Sequence, residues 1–160
     1  MPSDLQAKLD LGRLGEEIAA MVLWGKSTDD WFDSEKDMTD PDGRSVEIKT
    51  QYRIDQYNYL SVPMNKKTNY VKCMTVDRLI FVEYDHSDII RIWEVQDRDH
   101  YTEYYANLPS CGRTRMVGWY INKNEVGPGL KLIREIKLPL HASIMRYFSP
   151  AAKFKHCTQF

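Results

Sequence analysis

The stretch Asp37-Met38-Thr39-Asp40-Pro41-Asp42-Gly43-Arg44-Ser45-Val46-Glu47-Ile48-Lys49 decides how this chain is read. Asp40-Pro41-Asp42-Gly43 suits a type I turn, with proline at its second position and glycine where a left-handed residue forms the bulge that closes a three-residue hairpin loop. If Asp40 pairs with Arg44, the register runs on through Thr39 and Ser45, and Asp37 falls directly opposite Glu47. Side chains so opposed have their roots only about 4.5 to 5.5 Å apart, and like charges there are destabilising unless something positive lies between them. A divalent cation would supply that charge. Alternation along the strand turns Lys49 to the face of Glu47 and sends Val46 and Ile48 into the core. The triplet thus gathers the Glu47 carboxylate, the Ile48 carbonyl and the Lys49 amine around one point. Magnesium takes hard oxygen ligands, usually one or two carboxylates with waters completing the octahedron, and manganese is the expected substitute. A metal held there activates a water and screens the charge growing on a phosphate, while the lysine holds or deprotonates that water.

Upstream, Ser3 and Gln6 have the form of a capping box, and a helix is expected from Asp4 to Trp24 with Gly25 ending it at C′. Leu11, Leu14, Ile18, Met21 and Val22 recur at spacings of three and four, the mark of one core-facing stripe. Downstream the pattern turns extended over Trp31 to Met38, Ser45 to Arg53 and Tyr57 to Val62, which a three-stranded meander joins most simply. Asn65 to Met74 reads as a short helix. The apolar run Leu79-Ile80-Phe81-Val82 reads as a buried strand and Ile89 to Val95 as another. Arg115 to Ile121 and Leu130 to Leu138 look extended, and His141 to Phe148 suits a last helix before Pro150. The expected fold is α/β, in one domain over residues 1–160. Its core covers about residues 4–95, and a basic elaboration covers about 111–160.

Composition narrows the partners. Apolar residues make 42% and charged residues 28% of the 160, which are globular proportions. No stretch approaches the roughly 20 apolar residues that span a bilayer, and the first residues lack a signal peptide's basic and apolar regions. No membrane partner and a cytoplasmic location are expected. Cys73, Cys111 and Cys157 are far apart and read as free thiols, and the four histidines form no cluster. The net charge of −1 hides an asymmetry: residues 1–50 carry 6 basic and 12 acidic side chains, and residues 111–160 carry 9 and 2. An acidic segment collects divalent cations while a basic one neutralises phosphates. Lys66, Lys67 and Lys72 on the short helix are candidate phosphate contacts. So are Arg113, Arg115, Lys131, Lys153 and Lys155, where Tyr147, Phe148 and Phe154 interleave with the charges.

Asp37, a hairpin before Glu47-Ile48-Lys49 and preceded by a helix bearing Gly12-Arg13-Leu14-Gly15-Glu16, resembles the PD-(D/E)XK nuclease superfamily. That superfamily includes restriction enzymes, Holliday junction resolvases and phage nucleases. The resemblance spans about residues 12–84. It implies a restriction-endonuclease-like core in which an N-terminal helix, three strands, a helix and further strands build a mixed central sheet. It also implies magnesium-dependent hydrolysis of DNA, with Glu16, Asp37 and Glu47 holding metal beside the Ile48 carbonyl already read from the triplet, and Glu16, Asp37, Glu47 and Lys49 carrying catalysis. Glu17 lies nearer the edge of the apolar stripe than Glu16, so either can be the helix ligand. Gln51 looks like the glutamine that some members use near the site. Pro41-Asp42 matches the family's name literally, yet sits at the hairpin tip and reads as turn. Two copies pairing to cut two strands would fit the family. An endonuclease, a junction resolvase, an exonuclease and a binding module without chemistry all remain compatible with the sequence.

Overall fold

The computed structural model describes residues 4–27, 37–53, 59–64, 67–85, 88–108, 112–121 and 129–137. The capping residue Ser3, the segment 31–36 and the expected helix at 141–148 lie outside these. Over the described residues the protein is mixed α/β, with two helices and two sheets. In chain order the elements are α1 (Asp4–Leu23), β1 (Lys26–Ser27), β2 (Met38–Thr39), β3 (Ser45–Arg53), β4 (Tyr59–Pro63), α2 (Lys67–Thr75), β5 (Arg78–Asp85), β6 (Ile89–Val95), a 3₁₀ turn (Arg98–His100), β7 (Thr102–Leu108), β8 (Gly112–Tyr120) and β9 (Leu130–Lys137). The first sheet runs β1-β2-β3-β5-β6-β9, and the second β4-β8-β7.

The hairpin register is the expected one. Thr39 pairs with Ser45 and Met38 with Val46, the Asp40 amide bonds the Arg44 carbonyl at 3.0 Å, and Gly43 takes φ 80°. The expected meander does not form, because β3 is flanked by β5 in parallel and not by the next strand in sequence. Burial decides the contest for that place. Six consecutive residues of β5 are buried, including Leu79, Ile80, Phe81 and Val82 at 0% exposure, whereas β4 buries the apolar side chains of Leu60 and Val62. Each such side chain is worth about 1.5–3 kcal/mol when buried, so the strand that is apolar on both faces takes the interior. β4 joins the second sheet as an edge strand ending in Pro63, where the missing amide costs no ladder bond.

Apolar clusters lie on both faces of the first sheet. On one, Leu11, Ile18 and Ala19 of α1 pack on Val46, Ile48, Ile80, Val82, Ile90 and Ile92. On the other, Leu79, Phe81, Trp93 and Val95 meet Leu60, Val62, Val117 and Trp119 of the second sheet and Cys73 of α2. Gln51 bridges the sheets with its side-chain amide, donating to the Tyr59 carbonyl at 2.9 Å and accepting from the Ser61 N–H at 3.3 Å.

Two expectations for α1 need correction. Its C′ residue is Trp24, left-handed at φ 56°, and Gly25 is the next residue on, whose N–H reaches the Ala20 carbonyl at 3.0 Å as in a Schellman motif. Glycine is needed at 25 for space, since a Cβ there would run into the Met38 side chain. Met21, placed on the core stripe by its spacing, is 74% exposed. The true contact line includes Gly15 and Ala19, and a Cβ on Gly15 would collide with the Thr50 side chain. Counting only large apolar residues rotated the expected stripe away from this small-residue line. β7, with Tyr104 and Tyr105 adjacent and no clean alternation, was not anticipated.

Candidate active site

β3 carries the centre of the site. Residues two apart on a strand share a face, so Glu47 and Lys49 stand together, with Lys49 Nζ 2.7 Å from Glu47 Oε1. Glu47 is 1% exposed, and Val46 and Ile48 face the other way into the cluster under α1. Expectation and structure agree on this division of faces.

Asp37 reaches the same place by a route that differs from direct opposition. Its amide bonds the Val46 carbonyl at 2.9 Å, although Val46 already pairs with Met38. Two residues therefore stand against one, as in a β-bulge, which re-aims a side chain. The Asp37 carboxylate turns across the hairpin, and Oδ2 accepts the Ile48 N–H at 2.8 Å. The N–H and C=O of one strand residue project to the same edge, so the Ile48 carbonyl is aimed at the Asp37 edge as well.

The helices bring two more charges. Lys72, expected among the phosphate contacts, is instead part of the cluster: its Nζ lies 3.3 Å from Asp37 Oδ1 and 2.9 Å from Glu47 Oε2. The contact to Oε2 is an ion pair without hydrogen-bond alignment, which leaves this buried oxygen without a conventional donor. Glu16 has its carboxyl pushed up to about 7, first by burial and then by the negative charges of Asp37 and Glu47, against the pull of Lys72 and Lys49. Glu17 is exposed, and its charge is felt by Tyr84. Of the two helix glutamates, Glu16 is therefore the one that meets Asp37 and Glu47 electrostatically. The small-residue contact line at Gly15 and Ala19 sets the roll of α1 that turns Glu16 toward Asp37 and Glu47 and leaves Glu17 exposed beside Tyr84.

Burial pushes the Glu47 carboxyl above its usual range, with Lys49 opposing and Asp37 adding to the rise. For Lys49 and Lys72 burial favours the neutral amine, and the carboxylates outweigh it, so both ammoniums are held more firmly than in water. Cys73, fully buried nearby, has its thiol pushed up to about 12 by burial. It behaves as an apolar side chain.

Gln51 spends its amide on β4, as described above, and sits in the structure as a tie between sheets. Arg113 lies over the Tyr105 ring, 4.4 Å from its centroid, and Arg115 pairs with Glu103. Both arginines are exposed on β8, and Lys131 is exposed on β9. Lys67 opens α2, while Lys66, Lys153, Lys155, Tyr147, Phe148 and Phe154 lie outside the described residues.

Among the described residues no three Asp, Glu, His or Cys side chains form a ready-made metal-ligating group. Magnesium asks for less, being bound through one or two carboxylates with retained waters. The donors present suit it: Asp37 Oδ1, the donor-poor Glu47 Oε2, and the Ile48 carbonyl on the same edge. No helix among the described residues is long and apolar enough to cross a membrane. Neither a protein-family model nor a curated protein sequence matches the chain, and the functional reading therefore rests on its own residues.

Proposed function

We propose that the protein is a magnesium-dependent DNA endonuclease of the PD-(D/E)XK type, built on a restriction-endonuclease-like core. The observation that carries this reading is the convergence of Asp37 and Lys49 on Glu47 through one hairpin. Asp37 is tied to Ile48 N–H at 2.8 Å, and Lys49 is paired with Glu47 at 2.7 Å. Asp37, Glu47 and the Ile48 carbonyl would hold the metal, with Glu16 reaching it through water. When bound, magnesium lowers the pKa of a coordinated water and neutralises charge on the scissile phosphate. Lys49, a compact charge on a flexible stem, orients the attacking water beside Glu47. That water's oxygen bonds to phosphorus as the bond to the leaving sugar oxygen breaks. The proton that the water gives up passes to the Glu16 carboxylate, and the leaving sugar oxygen takes a proton from solvent.

The test is incubation of supercoiled plasmid, linear duplex, single strand and four-way junction with the protein, in magnesium and in chelator. Nicking or linearisation of plasmid in magnesium supports the endonuclease. Exclusive cleavage of the junction would make it a resolvase, and stepwise loss from linear ends an exonuclease. No cleavage of any substrate by protein that binds DNA would replace the nuclease reading with a binding module.

A further inference from the structure

Lys72 stands where a cation belongs. Its Nζ lies between Asp37 Oδ1 and Glu47 Oε2, at 3.3 and 2.9 Å, and the three side chains are 13%, 15% and 1% exposed. Fold contacts set this position. Val76 N–H donates to the Lys72 carbonyl at 3.2 Å, the neighbouring Cys73 is locked in the core at 0% exposure, and the Thr75 hydroxyl donates to the Val71 carbonyl at 2.8 Å. A lysine in the last turn of a helix also complements the helix dipole.

Two carboxylates held this close repel, and burial strengthens the repulsion. One positive charge between them relieves it. An ammonium and a divalent cation meet that need with the same two oxygens, Asp37 Oδ1 and Glu47 Oε2, while Glu47 Oε1 is left to Lys49. Both cannot occupy one point.

We propose, resting on the metal-dependent reading above, that Lys72 is a built-in counter-ion that holds Asp37 and Glu47 in ligand position in the metal-free protein and is displaced when a divalent cation enters. Its four-carbon stem lets the charge swing aside without moving α2. Lys72 is then a positioning residue that keeps the carboxylates together when metal is scarce and weakens metal binding by competition.

The experiment is titration calorimetry of the full chain with Mn²⁺, comparing the wild type with Lys72→Met and Lys72→Arg. Lys72→Met should bind Mn²⁺ about tenfold more tightly, or about 1.4 kcal/mol, and should melt at lower temperature without metal. Lys72→Arg, which keeps the charge, should bind no more tightly than wild type. Equal or weaker Mn²⁺ binding by Lys72→Met overturns the counter-ion proposal and leaves the metal site standing. Absence of Mn²⁺ binding by both wild type and Lys72→Met overturns the metal-dependent reading and this proposal with it. Should Lys72→Met fail to fold, amine acylation of the wild type read by mass spectrometry decides the matter. Lys72 labelling should rise on adding Mn²⁺, and unchanged or reduced labelling overturns displacement.

Discussion

The backbone N–H of Ile48 donates to Asp37 Oδ2 at 2.8 Å, so the carboxylate on one strand of the hairpin is fixed by the residue that follows Glu47 on the other. The bond uses one oxygen of Asp37 to set its orientation and turns the other, Oδ1, toward Lys72 and Glu47. Hairpin geometry and site geometry are thus one arrangement, and substitutions in it should move both.

Glu47→Gln should abolish cleavage, lowering the rate by at least about 10²-fold, as removal of one charge-stabilising group commonly does. It preserves volume, so circular dichroism should remain that of the wild type. Glu47→Ala should be harsher, costing about 3–5 kcal/mol in denaturant unfolding, because Lys49 and Lys72 lose a buried partner. A Glu47→Ala protein as stable as the wild type would show that the cluster is more hydrated than its burial implies.

Glu16 predicts a pH dependence. Its folded-state carboxyl is raised to about 7 from an ordinary 4.5, so the folded protein binds the extra proton between those values. Stability from this group is fully present below pH 4.5 and is lost as pH rises through 7. In calorimetry with chelator, Glu16→Gln should therefore flatten the decline in melting temperature between pH 5 and 7.5. Parallel pH profiles for the two proteins would assign the decline to other groups.

Gly15→Ala should destabilise by about 1–3 kcal/mol, the range for overpacking a filled contact, because the new Cβ would collide with the Thr50 side chain. It should also carry Glu16 away from Asp37 and Glu47. Chemical denaturation measures the first effect, and loss of the Glu16 pH dependence the second. An unchanged unfolding midpoint would mean that α1 shifts freely on β3.

Gln51→Ala should cost about 1–3 kcal/mol by leaving the Tyr59 carbonyl and Ser61 N–H without their partner. Mn²⁺ affinity should stay at the wild-type value. A large loss of metal affinity with normal stability would return Gln51 to the site.

Arg113→Ala with Arg115→Ala tests the phosphate track on β8. Each genuine phosphate contact contributes about 0.9 to the slope of log affinity against log salt, so the double variant should lower that slope by about 2. Fluorescence anisotropy with duplex DNA in calcium, across a salt series, is the measurement. An unchanged slope would mean that these arginines serve Tyr105 and Glu103 alone.

By itself the sequence determined whatever depends on neighbours along the chain. Turn chemistry at Asp40-Pro41-Asp42-Gly43 set the hairpin register, and strand alternation put Glu47 with Lys49 and against Ile48. Periodicity located α1, α2 and the strands β3, β5, β6, β8 and β9 to within a few residues. Tertiary structure decided what depends on competition between distant segments. β5 displaced β4 from the side of β3 because it buries apolar groups on both faces, and no local pattern ranks two strands for one place. Gly15 and Ala19 set the roll of α1, since close approach depends on how little a residue projects, and that roll leaves Glu17 exposed and Glu16 within electrostatic reach of Asp37 and Glu47. From sequence Lys72 reads as a phosphate contact on the short helix and Gln51 as a polar residue near the site. Only the packing of α2 and β4 against β3 turned the first into a counter-ion inside the carboxylate cluster and the second into a tie between sheets. A side chain's charge is written in the sequence, but its partner is fixed by the fold that desolvates both.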